Sequence, residues 1–180
     1  MLSWNVLDLL RSAPGTSRDY PVGIDSLSIA EDFATAAPVR GSVRLASTGR
    51  GILARGHLTT ALPETCDRCL TAVTSPVEVD IEEEALPSVD IDSGLAIDLA
   101  TEPDALRIDD HHELDLSETV REAISLAEPV VVLCRPDCRG LCLMCGADLN
   151  ADPSHSHGPD ELDPRLEALL AIRERLDEAG

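Results

Sequence analysis

Six cysteines in 180 residues fall into three short-spaced pairs: Cys66 with Cys69, Cys134 with Cys138, and Cys142 with Cys145. Two residues between cysteines let both sulfurs meet one tetrahedral metal at about 2.3 Å. Gly146, directly after the last pair, supplies the positive φ that so tight a turn tends to demand. Four of the thiols lie within the twelve residues from Cys134 to Cys145. A chain with this pattern must fold so that its thiols gather, and the pattern is that of a zinc-knuckle module. The bland alternative, six reduced thiols without a metal, leaves the paired spacing unexplained.

Ligand arithmetic keeps the pairing open. The six thiols plus His155 and His157 make eight candidate ligands, and tetrahedral zinc uses four. One site can take Cys66, Cys69 and two of the distal cysteines. A second can use the remaining cysteines with the histidines of Ser154-His-Ser-His157, although two histidines in a polar loop are more often solvated than ligating. Thiolates also suit iron–sulfur clusters, but Zn(2+) is the expected cofactor.

Composition narrows the class. The chain is 43% hydrophobic with Trp4, Tyr20 and Phe33 as its aromatics, so the core must come from Val, Leu, Ile and Ala. No apolar run approaches the roughly 20 residues of a membrane span. The N-terminal stretch has no basic start and carries Asp8, unlike a secretory signal. A cytoplasmic location is expected, where paired cysteines serve as metal ligands or redox groups more often than as structural disulfides.

Charge is uneven. Residues 1–79 carry seven arginines against eight acids, whereas residues 80–122 carry fifteen acids against Arg107 and Arg121. A net charge of −20 argues against the whole surface lying on nucleic acid. A basic partner protein is easier to support, and the plain alternative is a solubilising acidic face.

Periodicity gives an α+β fold: an antiparallel β-sheet or partly closed barrel, two helices and the cysteine-rich segment. Apolar stretches at Val22–Ile29, Val39–Ala46 and Gly51–Leu62, separated by Gly and Pro, read as strands. Val77-Glu-Val-Asp-Ile-Glu82 alternates as a strand with one wet face does. The Cys66–Cys69 turn is expected after Pro63, where the strand ending near Leu62 turns. Residues 86–105 read as a mobile acidic loop. Asp115-Leu-Ser-Glu118 has capping-box spacing, and Leu116, Val120, Ala123, Ile124 and Ala127 recur at helical intervals up to Pro129. Val130–Leu133 reads as a buried strand leading into Cys134, and a last helix is expected from Asp163-Pro164. The organisation is thus an α+β domain over residues 1–133, with residues 134–180 forming a knuckle and C-terminal helix packed on the same domain.

No catalytic constellation emerges. The chain lacks a Gly-rich phosphate loop, an HExxH helix and a nucleophile elbow. His111-His-Glu113 lies in an acid-rich, exposed stretch, and His57 reads as a half-buried sheet residue. Cysteine-only knuckles suit closed structural zinc, whereas catalytic zinc keeps an open position. No catalytic residue and no small-molecule substrate are expected.

Several stretches occur together in order: Leu9-Leu-Arg11 with Pro14-Gly-Thr-Ser-Arg18, the turn Cys66-Asp-Arg-Cys-Leu70, and Leu114-Asp-Leu-Ser-Glu-Thr-Val-Arg-Glu-Ala-Ile124. Cys134-Arg-Pro-Asp-Cys-Arg-Gly-Leu-Cys-Leu-Met-Cys-Gly-Ala-Asp-Leu-Asn150 and Asp163-Pro-Arg-Leu-Glu-Ala-Leu169 follow. Together they resemble the bacterial YceD family, named for large-subunit ribosomal RNA accumulation. The resemblance implies a cytoplasmic factor supporting synthesis, processing or stability of the large-subunit rRNA. Taken with the cysteine pattern and the absent catalytic motifs, the expectation is a non-enzymatic, zinc-stabilised factor supporting large-subunit (23S) rRNA accumulation, processing or ribosome assembly. It implies a partner in large-subunit rRNA or a basic large-subunit ribosomal protein. Arg40, Arg44, Arg50, Arg55, Arg68, Arg135 and Arg139 are the candidates for a local RNA-facing surface; no specific nucleic-acid ligand is assigned. A competing expectation is a thiol redox regulator in which Arg68 lowers a thiol pKa in the Cys66–Cys69 turn.

Overall fold

The computed structural model describes residues 2–98 and 102–157. In chain order the elements are β1 (Ser3–Asn5), α1 (Leu7–Leu10), β2 (Ser17–Ile24), β3 (Ser28–Ala30), β4 (Phe33–Ala34) and β5 (Val39–Ser47). β6 (Ile52–Thr65), β7 (Ala72–Pro87), β8 (Leu106–Ile108), β9 (Glu113–Asp115) and α2 (Ser117–Leu126) follow. The chain divides into two units, Met1–Pro136 and Asp137–Gly180. All eleven elements belong to the first.

The alternating stretches become a seven-stranded sheet in the order β1-β9-β8-β7-β6-β5-β2, curled into half a barrel. Every neighbouring pair is antiparallel except β7 with β8. A separate β3-β4 pair stands beside it. Val43, Leu45, Ile52, Ala54, Leu58, Val77, Val79 and Ile81 turn to one face and are buried. Arg44, Arg55, His57, Asp80 and Glu82 turn to the other. α2 lays Val120 and Ile124 into the same core, joined by Leu2, Val6 and Leu9 from the N-terminal segment. Full burial of one such leucine stabilises by about 1.5–3 kcal/mol.

Three local expectations are corrected. β6 does not stop near Leu62; it runs through Pro63 to Thr65, with Pro63 opposite Thr74. Beyond Thr59, β6 has a strand neighbour on the β7 side only, and an edge tolerates a residue without an N–H. The capping box does not form: the Asp115 carboxylate accepts the Ser117 N–H, and Glu118 pairs with Arg121 instead of reaching back. Val130–Leu133 is not a strand. Val130 and Val131 are exposed, and only Val132 turns inward, because its backbone is bound to Asp67 rather than to a sheet neighbour.

In the acidic stretch, Pro87 ends β7, and residues 88–97 close into a tight turn. Val89 bridges Ala96, Ile97 donates to the Ser88 carbonyl, and the Asp90 carboxylate accepts both the N–H and the hydroxyl of Ser93. The helix expected from Asp163 lies outside the described residues.

Candidate metal centre

The β6–β7 hairpin carries the first cysteine pair at its tip. Fourteen cross-strand pairs, from Ile52–Ala85 to Thr65–Ala72, fix the register with which Cys66 and Cys69 are presented. Cys66 N–H donates to the Thr71 carbonyl and Leu70 N–H donates to the Cys66 carbonyl, both at 2.9 Å. Leu70 adopts φ 60°, a left-handed conformation unusual for a residue with a Cβ.

The same turn recurs in the second unit. Cys142 N–H donates to the Ala147 carbonyl and Gly146 N–H to the Cys142 carbonyl, both at 2.8 Å, with Gly146 at φ 74°. Leu70 and Gly146 therefore hold equivalent places. Glycine takes this place at no steric cost, and only at Gly146 did the sequence reveal it.

Asp67, between the first two cysteines, clasps the segment that delivers Cys134. Its N–H donates to the Val132 carbonyl at 2.9 Å, and its carboxylate accepts the Val132 N–H at 2.7 Å. Sequence reasoning missed this clasp, because nothing in either segment marks the other as its partner. Its consequence is chemical. The ligand atoms of Cys66, Cys69 and Cys134 lie within 4.8 Å of one another, and the Cys69 and Cys134 sulfurs are 3.6 Å apart. Tetrahedral zinc–thiolate geometry separates sulfurs by about 3.8 Å, from bonds of about 2.3 Å.

Hydrogen bonds favour the anionic form of Cys66 and Cys69. The N–H groups of Cys134 and Cys69, helped by that of Arg68, aim at the Cys66 sulfur and lower its pKa to about 6. The Thr71 hydroxyl, 3.3 Å from the Cys69 sulfur, lowers the Cys69 pKa in the same sense. N–H donors stabilise the thiolate, and the thiolate is the metal-binding form.

In the second unit, Leu141 bridges Asp148 to make a miniature hairpin with the Cys142–Cys145 turn at its tip. Cys142 Sγ lies 3.1 Å from His157 Nε2, and Cys145 Sγ lies 3.2 Å from His155 Nε2. The N–H groups of Cys145 and Met144 lower the Cys142 pKa to about 6, with His157 and His155 contributing. Both histidines thus meet Cys142 and Cys145, a pairing that the sequence left open. Cys138, at the start of this unit, is buried, and its sulfur accepts the Asn150 amide at 3.5 Å.

The remaining histidines gather no such set. His57 is exposed on the wet face of the sheet, not half-buried, with Nδ1 2.8 Å from Asp80 Oδ1. Its strand placement holds, but its side is exposed because Arg55 and Asp80 share that face. His111 and His112 lie in the turn between β8 and β9, with the Asp109 carboxylate accepting the N–H groups of His111 and Glu113. Of the candidate RNA-facing arginines, Arg44 is held by Asp19, Arg55 by Glu82, and Arg50 by Glu84 and Glu102.

A profile of the family described as large ribosomal RNA subunit accumulation protein YceD matches residues 54–173, a stretch that includes both cysteine turns. The chain belongs to the YceD family. It is 33% identical over 139 residues to an uncharacterised protein of Mycobacterium leprae, covering 75% of this chain and 60% of that protein. With an uncharacterised protein of Mycobacterium tuberculosis it shares 35% identity over 131 residues, 72% of this chain and 59% of the relative. The chain therefore spans about three-fifths of the length of these curated relatives. A chloroplastic large ribosomal RNA subunit accumulation protein of Zea mays, YCED homolog 1, is 45% identical over 42 residues, 23% of this chain and 14% of that protein. No solved structure matches the chain. Among the described residues, no helix is long and apolar enough to cross a membrane.

Proposed function

We propose that this YceD-family chain is a non-enzymatic, zinc-stabilised cytoplasmic factor that supports accumulation of the large-subunit (23S) rRNA. The observation that carries the reading is the family match over residues 54–173. The plant relatives whose names state this role support it. Soft, pre-ionised thiolates at the spacing found here suit zinc. Cys66, Cys69 and Cys134, all in the first unit, hold the ion. Zinc there acts as a closed structural tie between the hairpin tip and the 132–134 segment.

For the partner, the acids offer the simpler surface. Arg44, Arg50 and Arg55 already have carboxylate partners, so phosphate must displace an acid to reach them. The acid-rich stretch with Asp90, Asp92, Asp98, Glu102 and Asp104 concentrates the negative charge that would attract a basic large-subunit ribosomal protein. Depleting the protein lowers 23S rRNA relative to small-subunit rRNA; an unchanged ratio and an unchanged ribosome profile would overturn the reading.

A second reading, a thiol redox regulator, draws on the depressed Cys66 pKa and the 3.6 Å approach of Cys69 to Cys134. Cys66 is 0% exposed, whereas reactive cysteines are partly exposed. Mild peroxide followed by thiol counting separates the two: the regulator loses thiols and metal together, and the structural site keeps both.

A further inference from the structure

We propose that the chain carries a second, self-contained Cys2His2 zinc site formed by Cys142, Cys145, His155 and His157, with its own ion and its own structural task. The inference rests on the zinc reading above only for the identity of the metal. Its four ligands all lie within a sixteen-residue stretch of the second unit.

The geometry converges on one point. The four ligand atoms lie within 4.8 Å of one another. The two sulfur–nitrogen separations are 3.1 and 3.2 Å, and the two Nε2 atoms are 3.0 Å apart. Tetrahedral zinc with ordinary bonds gives about 3.6 Å for sulfur–nitrogen and about 3.4 Å for nitrogen–nitrogen edges. A few tenths of an ångström of outward movement by these half-buried and exposed side chains makes up the difference. The rings meet edge to face, with centroids 4.7 Å apart and an interplanar angle of 84°, so neither blocks the other's Nε2.

The backbone between the pairs is wound to bring them together. Ala151 and Asp152 N–H both donate to the Asp148 carbonyl, and His155 N–H donates to the Asp152 carbonyl. The Asp152 carboxylate accepts the N–H and hydroxyl of Ser154. Asn150 ties the far side by accepting the Arg139 N–H, and the Arg139 guanidinium donates to the Pro153 carbonyl.

A second observation points independently to a bound ion. Among the described residues of this unit, Cys138 is the one buried hydrophobic side chain; Leu143 and Met144 are exposed. Among the described residues the stretch is ordered by turns rather than by buried apolar side chains, and short segments of that kind depend on a metal or a disulfide. Two thiolates and two neutral imidazoles leave a zinc complex with no net charge, which suits so exposed a site.

The test uses the full chain, purified without a histidine tag under reducing conditions, loaded with zinc or with cobalt as a spectroscopic probe. Wild type holds about two ions per chain. The double variant His155→Ala with His157→Ala holds about one and keeps the cobalt signature of a thiolate-rich site. Cys66→Ser loses the other ion and keeps a mixed sulfur–nitrogen signature. Cys145→His preserves four ligands, so it keeps the second ion with weaker thiolate absorption, which a merely misfolded chain does not. Wild-type stoichiometry in the double histidine variant overturns the proposal, as does a single wild-type ion that only Cys66→Ser removes. The rRNA ratio in depleted cells is a separate readout, and its failure leaves this stoichiometry untouched.

Discussion

Asp67→Ala removes one exposed side chain and cuts the tie between the Cys66 turn and the segment carrying Cys134. Of the two hydrogen bonds joining Asp67 to Val132, truncation deletes the one from the Val132 N–H to the carboxylate, 2.7 Å long. A hydrogen bond to an ionised group contributes about 1.5–3 kcal/mol. Val132 is 7% exposed, so its freed N–H gains little from water, while the remaining Asp67 N–H bond to the Val132 carbonyl limits the loss. We expect about 2 kcal/mol, a shift of roughly thirtyfold in the local opening equilibrium. Asp67→Asn keeps an acceptor without its charge and loses about 1 kcal/mol.

The direct assay is amide hydrogen exchange at Val132, read against Leu58 in the sheet core. In Asp67→Ala the Val132 amide loses protection by about thirtyfold while Leu58 changes far less, because a local clasp opens before the global fold does. Cys134 becomes faster to alkylate in the same variant. Val132 exchanging as slowly in Asp67→Ala as in wild type would refute the argument. Equal losses at Val132 and Leu58 would also refute it, since they would make the clasp part of the global fold rather than a tie on the metal site.

Leu70→Gly raises stability by about 0.5–1 kcal/mol: the left-handed backbone costs a Cβ-bearing residue about 1–2 kcal/mol, and the added unfolded-chain freedom of glycine returns about 0.4–1 kcal/mol. Leu70 is 66% exposed, so little packing is lost, and a lowered melting temperature counts against the strain. In metal-free protein, Cys66 and Cys142 are depressed from about 9 to about 6. Their thiolates therefore contribute folded-state stability that is complete above about pH 9 and lost as pH falls through about 6. Stability of the metal-free chain that stays unchanged between pH 9 and pH 6 in chemical denaturation contradicts it.

The sheet was legible because alternation survives wherever one face is wet. Val77 to Glu82 announces its inward and outward sides residue by residue, and α2 announces its stripe through Leu116, Val120 and Ile124. The site was legible only as an inventory. Spacing marks each cysteine turn, because a chelating turn is local, but it cannot join Cys66 to Cys134 across 68 positions. That joining is done by Asp67 and Val132, residue types with no metal signature. Val130–Leu133 misled for the same reason: an apolar run reads as a strand, yet its backbone bonds go to a turn. Leu70 was invisible because left-handed backbone is read from glycine, and here a leucine adopts it.

The outward face of the sheet pairs its clustered arginines with acids in a chain of net charge −20. Arg44 stands directly opposite Arg55 in the β5–β6 register, an arrangement that repels. The fold resolves it by placing Asp19 opposite Arg44 on β2 and Glu82 opposite Arg55 on β7. The Asp19 carboxylate takes Arg44 through two hydrogen bonds, at 2.7 and 3.0 Å, and Glu82 takes Arg55 at 2.9 Å. Asp19, Arg44, Arg55 and Glu82 thus form one balanced row across four strands. The arginines hold their acids well below the ordinary carboxylate range, so both stay ionised at neutral pH. A phosphate must compete with an anion already seated, and if it succeeds it leaves that anion beside its own charge. A lysine- or arginine-rich protein segment meets the opposite situation at β7, where Glu78, Asp80, Glu82 and Glu84 alternate outward. It adds a second cation beside these acids, without first removing one. On this face a phosphate and a basic segment therefore meet opposite electrostatic situations.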